Sequence, residues 1–325
     1  MGKKAFMGIL LVLSGLFLTF LFGGCSSGDS SDIVVREDST KRGNVQEDSG
    51  SKYTIYLITM DQGSNYWQQI DAGCKQAVKE LGGIRYRWLA PENHSDIEQA
   101  ECVDKAVADG ADAILVAAIS PTGINESLAR ASAAGVKLVY VDNAATQEAL
   151  ATLITDNEAA GKTAARTMLK ALGEAGITSG TIGLGANNVA MGGILRDRGF
   201  REVFAETGFT VAPTVSMNGN RQNIKNHAIE HPEYVAFFGA NEQITRAYTE
   251  QIHAIGGKQI IVGFDTSDFV LSMIKDGVIY ATMQQKPKQM GYDGVGIALR
   301  ALKGEYTDTN TVKDMGITVI TRDKI

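Results

Sequence analysis

From Tyr53 to its end, the chain alternates short apolar, β-rich runs with longer amphipathic stretches, and few folds accommodate that pattern. The apolar runs cover residues 54–59, 84–89, 113–117, 138–141 and 153–155 in the first half. In the second half they cover 181–184, 210–216, 235–238, 260–264 and 281–284, with 317–321 near the end. Most are continuous rather than alternating, as parallel strands covered on both faces require. The amphipathic stretches between them, such as 68–81, 97–108, 124–134, 159–172 and 245–255, read as helices. Gly82-Gly83, Gly110, Gly135 and Gly256-Gly257 stand where those helices must end. The pattern predicts an α/β protein of two doubly wound parallel-sheet lobes, and 325 residues are enough for both cores.

The N-terminus carries an address. Lys3-Lys4, an apolar run to Gly24 and then Cys25 read as an export signal; the run is also long enough for a plain membrane anchor. Leu21-Phe22-Gly23-Gly24-Cys25 resembles a bacterial lipobox, in which the leader (1–24) is cut and the cysteine receives lipid. Residues 25–51 then read as the lipidated Cys25 and a flexible Ser, Gly and acid-rich tether. The formal charge is −6, more acidic once Lys3 and Lys4 are removed, and no Lys/Arg block alternates with aromatics. Nucleic acid is therefore excluded as a partner. Cys74 and Cys102 fall in the first two helices, which right-handed crossovers place on opposite faces of a sheet, so they are expected to stay unpaired.

In open α/β sheets ligands sit outside the carboxyl ends of the strands. The residues after each run are therefore the candidates: Asp61, Ser64, Tyr66 and Trp67; Asp142 and Asn143; Asp156; Arg196 on the helix after Asn187-Asn188; Asn241; Asp265; and Gln285. Carboxylates accept, carboxamides donate and accept, and Arg donates in a fork, a mixture matched to vicinal hydroxyls. Aromatic rings supply flat walls for the C–H faces of a sugar ring. The natural ligand is a polar, uncharged, polyhydroxylated small molecule. Blander readings stand beside this: Tyr66 and Trp67 as core aromatics, Asp142, Asp156 and Asp265 as helix caps, Arg196 as a surface residue.

Catalysis finds no support. Gly183-Leu184-Gly185-Ala186-Asn187-Asn188 lacks the third glycine of a dinucleotide fingerprint, and no acid ends the next strand. His94, His227, His231 and His253 are scattered without metal-ligand spacing, and residues 308–310 do not make a calcium loop. No nucleophile elbow follows the leader. No cofactor and no metal are expected.

The chain resembles the type I periplasmic sugar-binding proteins of ABC transporters, in their ribose-binding-like branch. The matching residues are Asn65-Tyr66-Trp67 with Gly73, Val141-Asp142, Asp156-Asn157 with Gly161, and Arg196 with Gly199-Phe200. Asn241-Glu242, Gly263-Phe264-Asp265 and Ala281-Thr282-Met283-Gln284-Gln285 with Pro287 complete the series, in order and over nearly all of 53–325. The resemblance implies two lobes joined by a three-strand hinge: 52–155 with about 286–314, and 156–285 with about 315–325. It implies sugar contact by Tyr66, Trp67, Asp142, Arg196, Asn241, Asp265 and Gln285, and hinge positions at Thr155, Asp156, Gln285 and Lys286. Ser64 stands where ribose binders carry Asn, and Asn143 where they carry Arg, which alters the hydroxyl pattern read; Asp61 and Gln62 stand in the first loop to compensate.

The expected protein is a monomeric, lipid-anchored receptor on the extracytoplasmic face of the cell membrane. It captures a sugar or sugar-like ligand and delivers it to an ABC permease. A sensory receptor of the same fold, serving a membrane kinase or chemoreceptor, is the alternative, and an exported enzyme the third. A gene regulator of this fold is excluded by the export signal.

Overall fold

The computed structural model describes residues 50–187, 190–217 and 219–325; the apolar run, Cys25, the tether to residue 49 and Asn188 lie outside the described residues. The first five strands are β1 (Tyr53–Ile58), β2 (Ile84–Leu89), β3 (Ala113–Val116), β4 (Lys137–Val141) and β5 (Ala151–Ile154). They alternate with α1 (Asn65–Leu81), α2 (Asp96–Ala108) and α3 (Asn125–Ala133). The next five strands are β6 (Gly180–Gly185), β7 (Phe209–Val211), β8 (Ala236–Gly239), β9 (Ile260–Phe264) and β10 (Ala281–Gln284). Their helices are α4 (Asn157–Glu174), α5 (Met191–Phe204), α6 (Arg221–Glu230), α7 (Glu242–Ala254) and α8 (Asp268–Lys275). Then follow α9 (Pro287–Leu302), β11 (Thr311–Asp314) and β12 (Thr318–Thr321).

Two six-stranded sheets result, ordered β11-β5-β4-β3-β1-β2 and β12-β10-β9-β8-β6-β7. Every pairing is parallel except β10 with β12. The orders superimpose strand for strand, so β4 corresponds to β9 and β5 to β10. This is the two-lobed α/β architecture that the alternation predicts. The chain passes between lobes three times, after β5, after β10 and between β11 and β12.

Strand pleating separates the two cores of the first lobe. Ile55 and Leu57 face the layer holding Trp67, Ile70 and Met290, from α1 and α9. Tyr56 and Ile58 face the layer holding Val103 and Leu128, from α2 and α3. Cys74 is buried in the first layer and Cys102 packs against the second, so the sheet stands between them and both are free thiols. The second lobe is built likewise, with Phe200, Phe238 and Phe264 in one layer and Phe237, Tyr248 and Ile252 in the other. Among the described residues no helix is long and apolar enough to cross a membrane.

Two helix pairs approach at backbone contact. A Cβ on Gly161 of α4 would lie 2.2 Å from the Arg196 carbonyl oxygen, and one on Gly199 of α5 would lie 2.1 Å from that of Glu158. The α1/α9 pair repeats the arrangement through Gly73 and Gly291. The missing Cβ atoms therefore set how close α5 comes to α4, and so where Arg196 stands.

Two strand expectations need correction. The run 210–216 contracts to β7 because Pro213 has no N–H to continue a ladder, although Val215 regains a bridge to Gly185. β11 is a strand that the apolar runs do not include: Thr311, Val312, Lys313 and Asp314 are all exposed, so no apolar pattern marks it.

Candidate functional site

The carboxyl ends of the two sheets face a common cleft. β4 runs into Asp142 and β9 into Asp265, at corresponding places in the two lobes. Both adopt left-handed backbone conformations, with φ of 68° and 65°. The Asp142 N–H donates to the Leu153 carbonyl, and the Asp265 N–H to that of Met283, each at 2.8 Å. Asp tolerates this conformation better than most residues do, and the turn brings each carboxylate out of the sheet.

Tyr66 and Gln285 join the two aspartates. The Tyr66 hydroxyl donates to Asp142 Oδ1 at 2.6 Å and stands 3.4 Å from Gln285 Oε1. Gln285 Nε2 donates to Asp265 Oδ1 at 2.8 Å, and the Thr155 hydroxyl donates to Gln285 Oε1 at 2.8 Å. Asn143 Nδ2 donates to the other oxygen of Asp142 at 2.7 Å. Burial raises both carboxyls above their usual range, and Arg196 partly opposes this in each case. Burial and the Asp142 charge hold the Tyr66 phenol well above its ordinary value, so it remains a donor.

Arg196, on α5, is buried. Its Nε donates to Asn157 Oδ1 at 2.8 Å and Nη1 to the Ala240 carbonyl at 2.9 Å, while the guanidinium lies 3.7 Å over the Phe264 ring. These contacts hold it flat at the mouth of the second sheet.

The loop after β1 orders itself around Asp61. One carboxylate oxygen accepts from the Ser64 N–H at 2.7 Å and the other from Trp67 Nε1 at 3.0 Å. Ser64 caps α1 by accepting from the Tyr66 N–H. Trp67 is 7% exposed and meets Tyr66 edge-on, with ring centroids 5.1 Å apart. Trp67 joins the core layer, and both rings line the cleft.

That cleft encloses about 770 Å³, a volume within the usual range for small-molecule sites. Ser64, Tyr66, Trp67, Asn241, Asp265 and Gln285 line it, and Asp142 stands directly behind Tyr66, partly exposed like Asp61 and Asn143, while Arg196 is buried. Asn241 caps α7 with its Oδ1, 2.9 Å from the Ile244 N–H, which leaves its amide NH₂ for other partners. Capping is also the role of Asp156, whose Oδ1 accepts from the Ala159 N–H. Asp142 and Asp265 cap no helix; the cap of α8 is Ser267. Thr155, Asp156, Gln285 and Lys286 all lie in the first two interlobe crossings.

Sequence reasoning missed Asn65 and Thr266 as contact residues. Asn65 Nδ2 donates to the Thr266 carbonyl across the lobes at 3.3 Å, and both line the cleft. Only the relative placement of the two lobes could reveal that pair. Among the described residues no cluster of acidic, His or Cys side chains is suited to a metal.

Known proteins share this organisation. The ribose import binding protein of Salmonella typhimurium is 24% identical over 281 residues, which are 85% of this chain and 93% of the relative. That of Bacillus subtilis is 26% identical over 250 residues, 75% of this chain and 80% of the relative. An ABC transporter solute-binding protein from Agrobacterium vitis, solved with bound D-fucose, superimposes with a TM-score of 0.74 at 26% identity. It covers 84% of this chain and 96% of its own. A solute-binding protein from Burkholderia graminis, in complex with D-arabinose, shares the fold with a TM-score of 0.77 at 23% identity, over 85% of this chain and 97% of its own. The family model for the periplasmic binding protein domain matches residues 55–306. With two superimposable parallel-sheet lobes around a polar cleft, this chain belongs to the periplasmic binding protein domain family.

Proposed function

We propose that the protein captures a sugar or sugar-like ligand between its lobes, outside the cytoplasm, and hands it to an ABC permease. The observation that carries this reading is the chain of hydrogen bonds from Asp142 through Tyr66 and Gln285 to Asp265. It gathers acceptors and donors from both lobes beside two aromatic faces, which is what a polyhydroxylated ring requires. Relatives named for ribose import, and related structures holding D-fucose and D-arabinose, support it.

Binding works as a population shift. Groups from both lobes contact the ligand together only when the lobes are closed, so the ligand favours closure and the permease receives the closed form. The moving bodies are 52–155 with about 286–314, and 156–285 with about 315–325, turning about Thr155, Asp156, Gln285 and Lys286. Tyr66, Trp67, Asn241, Asp265 and Gln285 contact the ligand. Asp142, Asn143 and Arg196 add hydroxyl contacts behind them, and Asp61 and Ser64 do so from the loop that presents the aromatics. Lipid on Cys25 keeps this monomeric receptor at the membrane.

Thermal unfolding of the full-length chain against a panel of monosaccharides and polyols tests the reading. A ligand at 100 times its dissociation constant adds about 2.7 kcal/mol. A shift with amino acids or nucleosides and none with sugars overturns it.

A further inference from the structure

We propose that the ligand carries a positive charge: a polyhydroxylated amine of the amino-sugar class, its ammonium held between Asp265 and Glu242. This deepens the sugar-binding reading and rests on it.

The cleft lining contains Asp265 and Glu242 and, among the described residues, no Lys, Arg or His. Asn188, Val189 and Asn218, which lie outside the described residues, carry no charge. Each of the two acids has one oxygen engaged. Asp265 Oδ1 accepts from Gln285 Nε2, and Glu242 Oε1 accepts from the Ser267 hydroxyl at 2.8 Å. No donor from the described residues reaches Asp265 Oδ2 or Glu242 Oε2. The other acids nearby are already satisfied: Asp61 and Asp142 each have both oxygens hydrogen-bonded within the protein.

The charge of Arg196 acts on Asp265 and that of Arg246 on Glu242, yet neither arginine forms a salt bridge with these acids. The donors of Arg196 go to Asn157 and the Ala240 carbonyl and its face to Phe264. The lining therefore holds two carboxylates that no cation contacts directly, and enclosing them in a closed cleft is costly unless a ligand compensates them. A hydroxyl satisfies one lone pair and neutralises nothing. An ammonium supplies three donors and a full charge, in the stronger class of hydrogen bond. The carboxamides of Asn241, Gln284 and Gln285 remain for hydroxyls. Sugar phosphates and sugar acids are excluded by the same charge.

Isothermal titration of the full-length chain at pH 6, where an amine is protonated, tests this. The ligands are D-glucose, D-galactose and D-ribose, then D-glucosamine and D-galactosamine with their N-acetyl derivatives. An amino sugar should bind about tenfold or more tightly than both its neutral parent and its N-acetyl form. Glu242→Gln and Asp265→Asn should each remove most of that preference, and if Asp265→Asn fails to fold by circular dichroism, Glu242→Gln decides. A neutral parent that binds as well as its amine overturns the charge proposal and leaves the sugar reading standing. Heat from none of these sugars overturns both. A preference that survives both substitutions overturns the placement of the ammonium.

Discussion

Thr155 donates its hydroxyl to Oε1 of Gln285 at 2.8 Å, tying two of the three interlobe crossings together beneath the cleft that Gln285 lines. Gln285 is only 5% exposed, and its Nε2 serves Asp265 in the other direction. One side chain thus links two interlobe crossings to the cleft. Gln285→Leu leaves a buried hydroxyl and a buried carboxylate short of a partner. It should cost about 1–3 kcal/mol of stability and weaken ligand binding by at least about tenfold. Urea denaturation and titration of the same preparation check both effects; unchanged affinity would place Gln285 outside the site.

The pH profile of the ligand-free protein should show two opposed contributions. Burial raises the carboxyls of Asp142 and Asp265, so the folded state holds those protons more tightly than the unfolded chain does. Their stabilising contribution is fully present below about pH 4 and is lost as pH rises through the raised values. His227 is buried against Tyr248, which lowers it from 6.5 to about 4. Its contribution is fully present above pH 6.5 and is lost as pH falls towards 4. The advantage of the wild type over His227→Gln should therefore shrink from pH 7 to pH 4. Asp265→Asn should gain on the wild type as pH rises over the same interval. Denaturation followed by circular dichroism at several pH values measures both differences, and parallel curves would refute the assignments.

Much of this was legible in the sequence because strand ends are chemically marked. Val141-Asp142 and Phe264-Asp265 each interrupt an apolar run with a carboxylate, and the rule that ligands gather at carboxyl ends selects both. β11 escaped because a strand exposed along its whole length carries no apolar signal. The division of labour among the polar residues was hidden for a different reason. Asp61, Asp142 and Asp265 are equivalent as letters, yet whether an oxygen already has a protein donor depends on folded neighbours such as Trp67, Asn143 and Gln285. The Asn65–Thr266 contact joins residues about two hundred positions apart in different lobes, which no local pattern predicts.

Gly161 should tolerate nothing larger. A Cβ there would lie 2.2 Å from a backbone oxygen of α5, and backbone cannot rotate aside as a side chain can. Gly161→Ala must push α5 away and carry Arg196 with it, costing about 1–3 kcal/mol and weakening binding. Gly173, on the same helix α4, has no atom within 4 Å of its added Cβ. Gly173→Ala should instead stabilise by about 0.5–1 kcal/mol through helix propensity, with affinity unchanged. Thermal unfolding of the pair side by side separates close packing from a general effect of removing glycine.

The Asn65 contact with the Thr266 carbonyl predicts a kinetic effect rather than a loss of folding. Asn65 is exposed and its bond spans the lobes at 3.3 Å, so it contributes only when they are closed. Asn65→Ala should leave thermal stability of the ligand-free protein within about 0.5 kcal/mol of the wild type, as expected for a surface change. One hydrogen bond adds about 0.5–1.5 kcal/mol to the closed state, so its loss should speed ligand release by roughly two- to tenfold. Association should change less, because encounter takes place with the lobes open. Stopped-flow measurement of both rates decides the matter: a change confined to association would mean that Asn65 guides entry and does not hold the lobes together.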